Sequence, residues 1–205
     1  MPLIGIVDYG SGNVQSVRNA VEYLGYRTMA VSGEGDFHRA SHLILPGVGS
    51  FPASMRELRR RGLIDPLRRA VRERGLPYLG ICVGEQILAD RGFEFGETEG
   101  LGIIAGSTRK IDTNGTELPL PHIGWNEVDV RNGSPLYRGI ESGSCFYFVH
   151  GYHLVAEDPR EVSATTRYGA ELTASVEREH VFGVQFHPEK SQSAGLKLLD
   201  NFCRL

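Results

Sequence analysis

The stretch Pro77-Tyr78-Leu79-Gly80-Ile81-Cys82-Val83-Gly84 constrains the fold more than any other part of the chain. Pro77 to Ile81 is a short apolar run of strand type, and it runs straight into a cysteine bracketed by small residues. A strand that gives way so abruptly to helix predicts a nucleophile elbow. Such a turn lifts a reactive side chain over the end of a parallel sheet. Gly80 is expected to let chains pack close beneath the turn, and Gly84 to let backbone approach a ligand. The helix that follows is expected to aim its free N–H groups and positive end at the sulfur, favouring thiolate. Taken alone, a cysteine after a buried strand is more often a small core residue.

A second segment changes that balance. Phe186-His187-Pro188-Glu189-Lys190-Ser191 closes another apolar run far downstream. A histidine with a carboxylate two residues on supplies a base and an orienter for a cysteine nucleophile. Cys82, His187 and Glu189 are therefore the candidate catalytic set, and the chain reads as a thiol hydrolase.

Apolar runs at 3–7, 27–31, 42–45 and 77–81 alternate with helical spacing over 14–24, 50–61 and 63–74. That alternation predicts an α/β fold: a central, mostly parallel sheet flanked by helices, with ligands at the carboxyl ends of its strands. After Gly100 the texture changes. Short runs at 107–111, 125–130, 146–149, 162–167, 172–176 and 181–185 predict added antiparallel strands in the C-terminal half, and 194–205 a closing helix. At 205 residues, with no internal repeat or linker, the chain reads as one domain spanning 1–205.

Composition narrows the function classes. A net charge of -3 argues against electrostatic binding to nucleic acid or to an anionic membrane. No apolar run approaches the roughly 20 residues that span a bilayer. The first residues lack the basic flank and cleavage pattern of a signal peptide, so a cytoplasmic location is expected. Three widely spaced cysteines suggest neither a disulfide framework nor a zinc knuckle. Seven histidines raise the thought of a metal, but no pair sits at i, i+4 with a carboxylate between, and none is expected. No cofactor is expected either.

Two glycine-containing turns invite functional readings. Pro46-Gly47-Val48-Gly49-Ser50 is either a plain turn into a helix capped by Ser50 or a loop that aims N–H groups at an oxyanion. Gly10-Ser11-Gly12-Asn13 lacks the third glycine of a dinucleotide fingerprint, with Gln15 in its place.

These residues together resemble the class I (triad) glutamine amidotransferases, in which a Gly-x-Cys-x-Gly elbow pairs with a distant His-Pro-Glu. Further markers lie in the family's order over nearly the whole chain. They are Asp8–Asn13, Pro46–Gly49, Gly100–Gly102, His122–Asn126, Tyr147–His150 and His187–Ser191. The Gly-Trp-Asn and Phe-Val-His segments most resemble the glutaminase subunits of histidine biosynthesis. The resemblance implies hydrolysis of the glutamine side-chain amide, with ammonia channelled to a (β/α)8-barrel cyclase subunit that forms imidazole glycerol phosphate. Cys82 would be nucleophile, His187 the proton carrier and Glu189 its orienter. Val83, with Gly47 and Val48, would form the oxyanion hole. Gln86, Glu94, His150 and Tyr152 would bind substrate, and Asn13, Trp125, Tyr147 and Lys190 would face the cyclase.

Glu85 departs from the bulky apolar residue usual in the family, and its side chain is expected to leave the site for solvent or the partner. The segment 89–96 is reminiscent of a paralogous group whose ammonia serves surface-sugar amination. A stand-alone cysteine hydrolase and a non-catalytic binding module are the other readings.

Overall fold

The computed structural model describes residues 2–131 and 133–205. The first half runs β1 (Leu3–Val7), α1 (Val14–Tyr23), β2 (Arg27–Val31), α2 (Glu34–Phe37), β3 (His42–Gly47), α3 (Phe51–Arg60), α4 (Ile64–Arg72), β4 (Tyr78–Cys82) and α5 (Val83–Gln86). The second half adds β5 (Arg91–Gly92), β6 (Thr98–Glu99), β7 (Gly106–Lys110), β8 (His122–Val130), β9 (Ser144–His150) and β10 (Tyr152–Ala156). It closes with β11 (Val162–Tyr168), β12 (Ala170–Arg178), β13 (Val181–Val184) and α6 (Gln192–Cys203).

Every residue of β3 and of β4 is buried, as in strands covered on both faces. They lie inside a nine-stranded sheet of order β2-β1-β3-β4-β13-β12-β11-β8-β9. The portion from β2 to β13 is parallel. From β12 to β9 it continues antiparallel. A second sheet, β10-β7-β5-β6, lies apart from the first in its pairing and was only partly foreshadowed, by the run at 107–111.

The helices bury one stripe each. α3 turns Phe51, Met55 and Leu58 inward, α4 Leu67, Ala70 and Val71, and both leave arginines on the outer face. Ser50 caps α3, its hydroxyl accepting from the Ala53 N–H at 3.4 Å. The helix after Cys82 is a single turn, shorter than expected, and β8 begins at His122 rather than Trp125. No helix among the described residues is long and apolar enough to cross a membrane.

Register brings the site together. Gly47 pairs with Cys82 across β3 and β4, and Val184 pairs with Ile81 across β13 and β4. The loops after β1, β3, β4 and β13 therefore emerge side by side at the carboxyl edge, where open α/β sheets bind ligands.

Candidate active site

Cys82 sits at φ 55°, ψ -112°. A non-glycine residue held there stores strain of about 1–3 kcal/mol, so the surroundings must impose it. They do so through glycines. A methyl group on Gly84 would collide with the Leu45 carbonyl of β3, and one on Gly80 with the Gly84 carbonyl. Gly84 thus serves close backbone packing, correcting the expectation that it admits a ligand. The single-turn α5 likewise carries too few aligned peptides for a strong macrodipole, so the sulfur depends on specific neighbours. As first helical residues, Val83 and Gly84 have N–H groups with no acceptor inside the turn.

His187 follows β13 and lies almost fully buried. Its Nδ1 meets Glu189 Oε1 at 2.9 Å, and the same oxygen accepts from Asn13 Nδ2 at 3.3 Å. Asn13 occupies the N-cap of α1 but makes no capping bond there; its Nδ2 donates to Glu189. The loop is strapped down: His187 N–H donates to the Tyr147 carbonyl at 2.9 Å, and Ser191 Oγ to the His187 carbonyl at 2.6 Å. His187 Nε2 is buried without a hydrogen bond and is free to carry a proton. Burial works against the imidazolium, but the adjacent Cys82 sulfur and Glu189 outweigh it, raising the pKa to about 9.

A directional chain of hydrogen bonds links β8, β9 and β10. Asn126 Nδ2 donates to the Arg167 carbonyl at 3.0 Å and to His122 Nε2 at 3.3 Å. His122 Nδ1 then donates to His150 Nε2 at 3.0 Å, and His150 Nδ1 to the Tyr152 carbonyl at 2.9 Å. Both ends fix the same tautomers, because a carbonyl can only accept. Burial lowers the pKa of His122 to about 4 and of His150 to about 3, so both rings are neutral near pH 7. Both nitrogens of the His150 ring are thus engaged within the protein.

The expected site residues separate into groups. Gln86 reaches the Tyr152 carbonyl at 2.9 Å and Gln185 Oε1 at 3.0 Å. Glu94, half-buried, accepts the Phe51 N–H at 2.8 Å through Oε2. The Val48 carbonyl accepts from Ser11 Oγ at 2.9 Å, and Gly47 packs against Val83 and Gly84. Trp125 stands edge-on to Tyr147 at 6.1 Å between centroids, and the exposed Lys190 ammonium lies 5.7 Å from the Tyr147 ring centre.

Glu85 contradicts its expectation outright. It is fully buried, with both carboxylate oxygens unpartnered, and its stem lies against β13 at Gly183. A one-turn helix wedged beside β13 has no outward face at that position. Burial first, and the Cys82 sulfur second, push its pKa well above the usual carboxylate range and favour its protonated form. Two contacts went unnoticed in the sequence: that of Asn13 with the Glu189 carboxylate, and that of Gln185 with the Cys82 sulfur. Gln185 stands two residues before His187, a spacing that puts both on one face of an extended chain.

Residues 5–205 match the model of the class I glutamine amidotransferase family. The chain belongs to that family. It is 44% identical to imidazole glycerol phosphate synthase subunit HisH 1 of Campylobacter jejuni strain RM1221, over 99% of this chain and all of that protein. It is 46% identical to subunit HisH of Salinibacter ruber, over 98% of this chain and 93% of that one. The PurLQS structure from Thermotoga maritima superimposes with a TM-score of 0.77 at 22% identity, covering 99% of this chain and 98% of the other.

Proposed function

We propose that this chain is the glutaminase subunit of an imidazole glycerol phosphate synthase. The observation that carries the reading is the convergence of a strained cysteine elbow with a buried His187–Glu189 pair, in a chain close in sequence to HisH subunits over its whole length. Cys82 attacks the glutamine side-chain amide carbon as thiolate, and the carbonyl oxygen takes up negative charge. Val83 N–H and an N–H of the Gly47-Val48 turn receive that charge. His187 gives the thiol proton to the departing nitrogen, releasing ammonia and leaving a γ-glutamyl thioester. It then takes a proton from water, whose oxygen attacks the thioester to free glutamate and regenerate the thiol. Glu189, steadied by Asn13, holds His187 in the productive tautomer.

Substrate placement follows from unused valences. Both Gln86 amide hydrogens are spent inside the protein, so only its oxygen is open, and it accepts from an N–H of the substrate. Glu94 keeps one carboxylate oxygen for the substrate ammonium, and Tyr152 lines the other end. Ammonia passes to a (β/α)8-barrel cyclase docked on Asn13, Trp125, Tyr147 and Lys190. Three unpaired cysteines fit a reducing, cytoplasmic setting.

The test is Cys82→Ala. Glutamate release should disappear, by about 10⁶-fold in rate for loss of a triad nucleophile. A complex with the cyclase should still form product from ammonium salts. Appreciable glutamine hydrolysis by Cys82→Ala would sink the assignment.

A further inference from the structure

Gln185 belongs to no role so far described, yet it is a polar side chain of zero exposure beside the reacting atom. Its Nε2 lies 3.7 Å from Cys82 Sγ, within hydrogen-bond range for sulfur, and its Oε1 accepts from Gln86 at 3.0 Å. The orientation of both amides follows from one fact. The Tyr152 carbonyl accepts from Gln86, so the NH2 end of Gln86 faces both Tyr152 and Gln185. Gln185 must then turn its oxygen toward Gln86 and its NH2 toward the sulfur. The Tyr152 carbonyl also accepts from His150 Nδ1.

We infer that Gln185 is a further positioning residue of glutamine hydrolysis: it donates to the Cys82 sulfur and locks nucleophile and substrate-binding glutamine into one buried chain. The inference rests on the reading of Cys82 as nucleophile and adds to it. With α5 reduced to one turn, this side-chain donor takes over much of the work that a long helix would do. A hydrogen bond to an ionised sulfur is stronger than one to a neutral thiol, so the donor favours thiolate and fixes where it points. Because Gln86 orients Gln185, a substrate that bonds Gln86 bears on the same chain that holds the sulfur.

Other titratable groups face the sulfur and must be accounted for. They are His187 after β13, Glu85 on α5 and Tyr9 after β1. Burial raises the pKa of both Glu85 and Tyr9 and favours their protonated forms, which leaves the sulfur and His187 as the groups whose charge the profile chiefly follows.

The experiment uses the full chain and measures iodoacetamide alkylation of the Cys82 peptide by mass spectrometry across pH 5–10, about the span in which thiols and imidazoles titrate. Reading the peptide keeps Cys145 and Cys203 from confusing the result. In Gln185→Leu the midpoint should rise by about one unit, a tenfold loss of reactive thiolate at a fixed pH below it. Glutaminase kcat should fall with it by about tenfold. Gln185→Met, longer and more adaptable, fills the site without a donor and should show the same displacement; it decides the matter if the leucine variant does not fold. A midpoint unchanged in the folded variant overturns the inference, whatever happens to the melting temperature. Failure here is distinct from failure of the assigned chemistry, which is read separately from glutamate release by Cys82→Ala.

Discussion

At Glu85 the chain buries a carboxyl group with no partner for either oxygen, against a strand whose glycine at 183 leaves the room. An unsatisfied buried polar group costs about 1–3 kcal/mol, so Glu85→Met should stabilise the fold by about that amount at pH 7. Chemical denaturation checks it. The sign of the pH dependence follows from linkage. The folded pKa is raised, so the unfolded chain releases this proton first as pH climbs. The contribution of Glu85 to stability is full below the ordinary carboxylate pKa and is lost as pH rises toward the folded value, by up to about 1.4 kcal/mol per pH unit. In Glu85→Gln that component should vanish, and a stability–pH slope identical to the parent would mean that the carboxyl ionises in place. A protonated acid exerts little repulsion on a thiolate. Near neutral pH, Glu85→Met should therefore leave the Cys82 alkylation profile where it was.

The elbow between β4 and α5 is strained locally and held by its neighbours. Leu45 of β3 approaches Gly84 so closely that any side chain there must push β3 and the turn apart. Gly84→Ala should cost about 3 kcal/mol, at the upper end of overpacking effects, and should displace Cys82 as the turn relaxes. Gly49→Ala makes the control. That residue has φ 93° but nothing within 4 Å of an added methyl, so only backbone strain of about 1–2 kcal/mol applies. Urea unfolding of the two variants, with Cys82 alkylation as a second readout, separates collision from strain. Equal losses would show that the Leu45 contact yields easily. At this scale β13 matters as much as β4. The segment that leaves β13 carries Gln185 and His187, and the strap from Ser191 to β9 holds that loop.

Across the whole molecule, the β8–β9 hairpin turns a continuous face outward from the catalytic edge. Ile123 opposes Val149, Trp125 opposes Tyr147 and Glu127 opposes Cys145. Ile123 is 60% exposed and Trp125 48%, an unusual expenditure of apolar surface beside a cleft. Val149 belongs to both regions, since its carbonyl lies 4.0 Å from the Cys82 sulfur. Trp125→Ala should leave the melt of the lone chain within about 0.5 kcal/mol, as surface changes do. In a titration against the cyclase proposed as its partner it should weaken binding by about 2 kcal/mol or more, the scale of an aromatic anchor. A large melting shift with intact binding would show that Trp125 is a packing residue.

The order of strands and helices in the first half, the elbow at Cys82 and the pairing of His187 with Glu189 were legible in the sequence, because each depends on short-range patterns. Period-two and helical spacing, small residues at a break and a carboxylate two positions from a histidine need no knowledge of what lies opposite. The second sheet escaped because its strands are as short as two residues and carry almost no period. Tertiary structure alone decided the direction of Glu85, the capture of Glu189 by Asn13, the diversion of His150 into the interior, and the place of Gln185 against the sulfur. Those outcomes depend on partners up to 176 residues away, as for Asn13 and Glu189, and a side chain turns to whatever the packed sheet sets before it.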